Sequence, residues 1–284
     1  MTPANTALII GAGYLGTVLA ARLSKAGQQV LVTVRSASRL QRLRELPGCT
    51  VFPLDLAHSI AAQFAPFAAR GVVFDVYCLL TPSALSMPAT RREFLHELRQ
   101  LPRRRAVLTS STAVYGDQAG GEVTAETVPQ PATVRERNLL AIEQDWLALG
   151  DAQVARLAGL YGPHRVIGVR PLQAAEALPG TPQDLLNLIQ VDDAARLLVA
   201  MMQSAQVAAV ELGSDGCPVP RGEYYEFLAA LLQVSPPRFE QQHPAPRGSK
   251  ACAPHSTMAR INWRPVYADY RVGVRAALTV ADIK

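Results

Sequence analysis

Apolar residues run unbroken from Ala7 to Ile10 and stop at Gly11, Gly13 and Gly16; a helical spacing then carries from Thr17 to Ala26 and ends at Gly27. A second β-rich run, Gln29 to Val34, follows at once, so the opening reads as strand, helix, strand. The alternation continues. Val51 to Leu56 predicts a third strand, Gly71 to Leu80 a buried fourth that breaks at Thr81-Pro82-Ser83, Arg91 to Leu101 a helix, and Ala106 to Ser110 a fifth strand. Strands that alternate with helices in this way predict a parallel, doubly wound α/β sheet. Past Pro163 the regularity fails. Residues 164–186 and 213–284 are rich in proline and turns, with helices expected at Gly222 to Gln233 and Tyr270 to Leu278; they predict a small C-terminal lobe. Residues 187–212, with a helix from Ala194 to Gln203 and a strand from Val207 to Leu212, return to the main domain of residues 1–163.

The three glycines have the G-x-G-x-x-G spacing between a strand and a helix, the fingerprint of a Rossmann dinucleotide turn. Gly11 permits the tight turn, Gly13 lets the backbone approach a pyrophosphate, and Gly16 lets the helix pack on the strand. The helix start at Tyr14, Leu15 and Gly16 offers amide donors to the phosphates. Dinucleotide folds that prefer NAD carry an acid near the end of the second strand; here the chain reads Val34-Arg35-Ser36-Ala37-Ser38-Arg39. Arg35, with Ser36, Ser38 and Arg39, suits the 2′-phosphate of NADP, with NAD as the other candidate. The two arginines as plain solvent charges at a helix start stay open as a reading. Ligands in such sheets lie beyond the carboxyl ends of the strands, which puts Asp55 and Leu56 beside the adenine and Leu80 and Thr81 beside the ribose.

Composition narrows the class. With 284 residues, 49% of them hydrophobic, the chain can bury a full core. It has no apolar run of spanning length and no leader ahead of the first strand, so no membrane partner is expected and the cytoplasm is the expected location. The four cysteines, Cys49, Cys78, Cys217 and Cys252, form no C-x-x-C pair and suggest neither metal nor disulfide; Cys78 reads as core. A net charge of +5, neither gathered in a tail nor interleaved with aromatics, gives no sign of nucleic-acid binding. The densest basic run, Pro102-Arg103-Arg104-Arg105, reads as a solvated loop ahead of the fifth strand.

Four segments then fall in order: the glycine turn, Ser110-Ser111-Thr112-Ala113-Val114-Tyr115-Gly116, Leu160-Tyr161-Gly162-Pro163 and Val191-Asp192-Asp193. With Ser249-Lys250 and Trp263-Arg264-Pro265 they make nearly the whole chain resemble an extended short-chain dehydrogenase/reductase of the NAD-dependent epimerase/dehydratase family. The resemblance implies a substrate hydroxyl or carbonyl held by Ser111, and places Tyr161 and Pro163 beside the nicotinamide. It also implies a Tyr-x-x-x-Lys proton relay. Aligned on Glu143, the chain has Arg135 in the tyrosine position and Leu139 in the lysine position, and Pro131 to Leu139 contains neither a tyrosine nor a lysine. That departure is similar to the atypical subgroups.

Ser111, Tyr115 and Arg135 therefore remain as candidate catalytic groups. Ser111 reads equally as a strand-end hydroxyl bonded to local backbone, and Tyr115 as a packing residue that can stand in as proton donor. Arg135 cannot act as a base but can polarise a carbonyl or bind an anion. Asp192 and Asp193 read as helix caps first and as a link to the C-terminal lobe second. The compact lobe favours a substrate smaller than a nucleotide-sugar, and Arg165, Arg170, Arg221 and Lys250 suit an anionic one. His243 and His255 read as surface residues. The expected function is an NADP-dependent oxidoreductase or epimerase acting on a sugar-like or small carbonyl substrate, with a homodimer open; the alternative is a catalytically inactive NADP-binding sensor or scaffold.

Overall fold

The computed structural model describes residues 6–35, 41, 43–206, 208–240 and 248–278. Seven strands form the central sheet: β1 (Thr6–Ile10), β2 (Val30–Val34), β3 (Cys49–Pro53), β4 (Phe74–Cys78), β5 (Arg103–Ser111), β6 (Ala152–Leu157) and β7 (Val210–Gly213). Their order is β7-β6-β5-β4-β1-β2-β3. The pairs β1–β2, β1–β4, β2–β3 and β4–β5 are parallel, as the alternation of strands and helices requires. Every residue of β2 and β4 is buried, the mark of a parallel sheet covered on both faces.

The chain divides into two units, described separately below. The first comprises the described residues of Met1–Ser110, Arg137–Ala155 and Ala195–Val210; the second comprises those of Ser111–Glu136, Arg156–Ala194 and Glu211–Lys284. The second unit thus begins at Ser111 and takes in more of the chain than the proline-rich segments after Pro163.

In the first unit, α1 (Tyr14–Lys25) buries Leu15, Leu19 and Leu23, a stripe at every fourth residue. Its end is fixed at Gly27, whose φ of +78° closes the last turn. Helices α2 (Ile60–Ala68) and α3 (Pro88–Gln100) meet through aromatic side chains. The rings of Phe64 and Phe67, and of Phe64 and Phe94, pack edge to face with centroids 5.8 Å apart. Cys78 lies in this core, and burial pushes its thiol up to about 12.

The basic run is not a loop. Arg103, Arg104 and Arg105 belong to β5, and each is tied to the first unit. Arg103 bonds Asp151 and the Leu98 carbonyl; Arg104 bonds Asp75 and the Met202 carbonyl; Arg105 bonds the carbonyls of Met201 and Ser204. Those last carbonyls close the C-terminal end of α5 (Val191–Gln203), where cations are favoured by the helix dipole. The intervening helix, α4 (Val134–Leu147), starts at a capping box: Glu136 accepts from the amides of Ala132 and Thr133, and Thr133 Oγ1 accepts from the Glu136 amide.

The second unit has its own core, with Tyr161, Leu178, Tyr224, Leu228, Tyr270 and Val274 among its members. It contains α6 (Arg221–Leu232), and a short antiparallel ladder pairs Leu185–Leu186 with Val219–Pro220. Asp193 acts within it as a link: its two carboxylate oxygens accept from the amides of Val266 and Tyr267 at 2.8 and 2.9 Å. Among the described residues no helix is long and apolar enough to cross a membrane.

Candidate functional site

The glycine turn forms one wall of a cavity of about 590 Å³ in the first unit. Gly11 sits at φ +96°, and its amide donates to Thr33 Oγ1 at 3.0 Å while the Ala12 amide donates to the Thr33 carbonyl at 2.8 Å. The β1 end is thereby pinned to β2. Gly13 is the N-cap of α1 and has no side chain to satisfy the first-turn amides; no acid stands in that turn. A helix start without a side-chain cap turns its N–H groups and the positive end of the dipole towards an anion.

Gly11, Gly13, Arg35, Asp55, Leu56, Leu80 and Thr81, all expected at a dinucleotide site, line this one cavity. Arg35 directly follows β2 and is exposed. Asp55 is held by local bonds, its amide donating to Gln63 Oε1 and its Oδ1 accepting from the Ala57 amide. The sequence reading missed Thr33, Ala84 and Thr90. For Thr33 a signal exists, since it is the one polar residue of a strand that is otherwise aliphatic. Tyr14, Leu15 and Gly16 open α1, but the Leu15 side chain is buried in the core and Gly16 packs against Gly11. Ser36, Ser38 and Arg39 lie outside the described residues, as does His243.

Tyr161 and Pro163 belong to the second unit and are not among the residues that line this cavity. Tyr161 is fully buried in the core of the second unit, its hydroxyl against Gly273; Pro163 is an exposed turn residue. The candidate catalytic groups separate in the same plain way. Tyr115 is fully buried, its hydroxyl donates to the Thr124 carbonyl at 2.8 Å, and the Arg156 guanidinium lies 4.9 Å from its ring centroid. A phenol so placed packs within the second unit and spends its donor on a local carbonyl. Ser111 Oγ accepts from the Ala113 amide at 3.2 Å and so caps the short turn Thr112–Tyr115; it is half-buried. The neighbouring Ser110 hydroxyl donates to the buried carboxylate of Glu143. Arg135 is exposed in the first turn of α4, and Leu139 is buried there.

The second unit holds a cavity of about 410 Å³, lined among others by Thr112, Arg165, Asn187, Arg221, Tyr225 and Lys250. Three of the four cations singled out from the sequence meet here; Arg170 does not. Asn187 is a frame element, its amide donating to the Lys250 carbonyl at 2.8 Å and its oxygen accepting from the Cys252 amide at 2.7 Å. Gly168, at φ +92°, makes room for Tyr225, whose Cε1 would stand 2.2 Å from a β-carbon there.

Comparison with known proteins follows the same outline. Residues 7–68 match the model of the ketopantoate reductase PanE/ApbA family, which is the stretch of the glycine turn and the first three strands. A search of curated proteins finds no match. Among solved structures, a conserved protein of unknown function from Silicibacter pomeroyi is 24% identical, with a TM-score of 0.75, over 96% of this chain and 98% of that one. A candidate NAD-dependent epimerase/dehydratase from Methylobacillus flagellatus is also 24% identical, with a TM-score of 0.77, over 96% and 97%. The UDP-glucuronic acid 4-epimerase of Bacillus cereus, solved with UDP-glucuronic acid and NAD, is 13% identical, with a TM-score of 0.78, over 96% and 98%. The fold along nearly the whole chain is the Rossmann-type α/β fold of these epimerase structures.

Proposed function

We propose that the chain binds NADP in the cavity of its first unit and is an NADP-dependent oxidoreductase or epimerase of a sugar-like or small carbonyl substrate. The observation that carries this reading is the pairing, around one cavity, of an uncapped α1 N-terminus with Arg35 at the end of β2. The amides of Tyr14, Leu15 and Gly16 would hold the pyrophosphate, and the Arg35 fork the 2′-phosphate. Asp55 and Leu56 would flank the adenine, and Leu80 and Thr81 the ribose. When bound, the dinucleotide supplies hydride chemistry at its nicotinamide. Ser111 is the hydroxyl left to position a substrate. The epimerase solved with a UDP-sugar and NAD supports the cofactor and substrate classes in general terms.

A second reading, a cofactor-binding sensor without turnover, draws its support from the same residues: Tyr115 donates to Thr124, Leu139 is buried, and Arg135 has no hydroxyl to offer. Calorimetric titration of NADP and NAD into wild type and Arg35→Ala, followed by assay of sugar nucleotides and small carbonyl compounds, tests both. NADP should bind about ten- to a hundredfold tighter than NAD, and Arg35→Ala should narrow the gap. Preference for NAD overturns the cofactor assignment; turnover of any of these compounds removes the sensor reading.

A further inference from the structure

Arg221 is the first residue of α6, is 8% exposed, and among the described residues has no carboxylate in ion-pair distance. Its Nη2 donates to the Pro179 carbonyl at 3.0 Å, its guanidinium carbon lies 5.2 Å from the Tyr225 ring centroid, and its Nε is buried without a hydrogen-bond partner. A cation at the N-terminus of a twelve-residue helix stands against the positive end of the dipole, and its burial removes the water that would otherwise compensate it. Two opposing costs thus fall on one side chain whose orientation is fixed by a carbonyl and a ring. The same side chain lines the cavity of the second unit together with Arg165 and Lys250, against Glu176 as the one carboxylate in that lining.

We infer that this cavity binds the anionic group, carboxylate or phosphate, of a small ligand, with Arg221 as its buried counter-charge and Arg165 and Lys250 beside it. The anion offsets both costs at once: it pairs the arginine and it occupies the favourable side of the helix start. A volume of about 410 Å³ has room for a compact acid of sugar size. The inference deepens the proposed function by naming the charge of its substrate, but the binding it asserts needs no dinucleotide.

The test is calorimetry on the full chain without cofactor, using inorganic phosphate, glucuronate and neutral glucose as probes. Phosphate or glucuronate should bind and glucose should not; which of the two anions binds tells phosphate from carboxylate. Arg221→Gln should weaken that binding about ten- to a hundredfold, and Arg170→Gln, outside the lining, should leave it unchanged. Because Arg221 is buried, the exposed Arg165→Gln serves as the second variant should Arg221→Gln not fold. Failure of both anions to bind, or binding untouched in Arg165→Gln and in folded Arg221→Gln, overturns the inference. A separate NADP titration keeps the two proposals apart, since loss of the anion site in Arg221→Gln with NADP affinity retained leaves the cofactor reading standing.

Discussion

A β-carbon on Gly16 would stand 2.7 Å from the carbonyl oxygen of Gly11 and 3.2 Å from Leu79 Cδ1. The first contact is with backbone, which cannot swing aside as a side chain does. Gly16→Ala must therefore lift α1 off the β1 end, at a cost of about 1–3 kcal/mol by the usual penalty for overpacking. The same displacement moves the α1 amides, so NADP affinity should fall in the variant while the far-ultraviolet spectrum stays native. Urea titration and calorimetry check both halves. Wild-type affinity in Gly16→Ala would mean that the helix start does not hold the phosphates.

That glycine turn was legible in the sequence because its requirements are local: a turn, a close approach and a packing contact within six residues. Arg103 to Arg105 were not, because their partners include residues 48, 29 and 99 positions away, and only the fold brings a carboxylate or a helix end to them. The burial of Tyr161 was hidden for a related reason. A motif fixes the residue and its strand, but the direction in which the ring points is decided by Gly273, far along the chain, which leaves space for the hydroxyl. The cations of the second unit lie between these cases. Charge alone picked out Arg165, Arg221 and Lys250 together with Arg170; only the cavity separates them.

Asp75 and Arg104 form a two-pronged pair across β4 and β5, with bonds of 2.9 and 2.8 Å, and Asp75 is 5% exposed. Arg104 is itself partly exposed, so the pair is screened from one side and the full cost of a buried ion pair does not apply. Arg104→Ala should destabilise the fold by about 2 kcal/mol, chiefly by leaving the Asp75 carboxylate short of donors. Adding Asp75→Asn should recover part of that loss. Chemical denaturation of the two singles and the double variant measures the coupling, and strict additivity would deny it.

Tyr115 separates a packing role from a catalytic one. Tyr115→Phe removes a buried hydroxyl and leaves the Thr124 carbonyl without that donor, which should cost about 1 kcal/mol. Cofactor affinity and any measurable turnover should stay at the wild-type level. A fall in rate of about a hundredfold or more, with stability unchanged, would return the phenol to the reaction.

Asp215 gives the fold a pH dependence of a particular sign. One of its carboxylate oxygens accepts from the Cys217 amide at 3.0 Å and the other is buried with no partner among the described residues; burial, with the charges of Asp269 and Asp193 nearby, pushes the group up to about 8. The native state then holds a proton that the unfolded chain, titrating near 3.8, releases. Stability from this group is full below the unfolded value and declines as pH rises towards the folded one. Asp215→Asn keeps the acceptor for the Cys217 amide and removes the ionisation. Its melting temperature should match wild type near pH 4 and exceed it by a margin that widens up to pH 8. The widening follows because the wild type alone must bury a charge, or keep a proton, against the rising pH. Melts recorded from pH 4 to pH 9 decide the matter: a constant offset between the two proteins would show that Asp215 is already ionised in the fold and that a neighbouring group supplies the missing compensation.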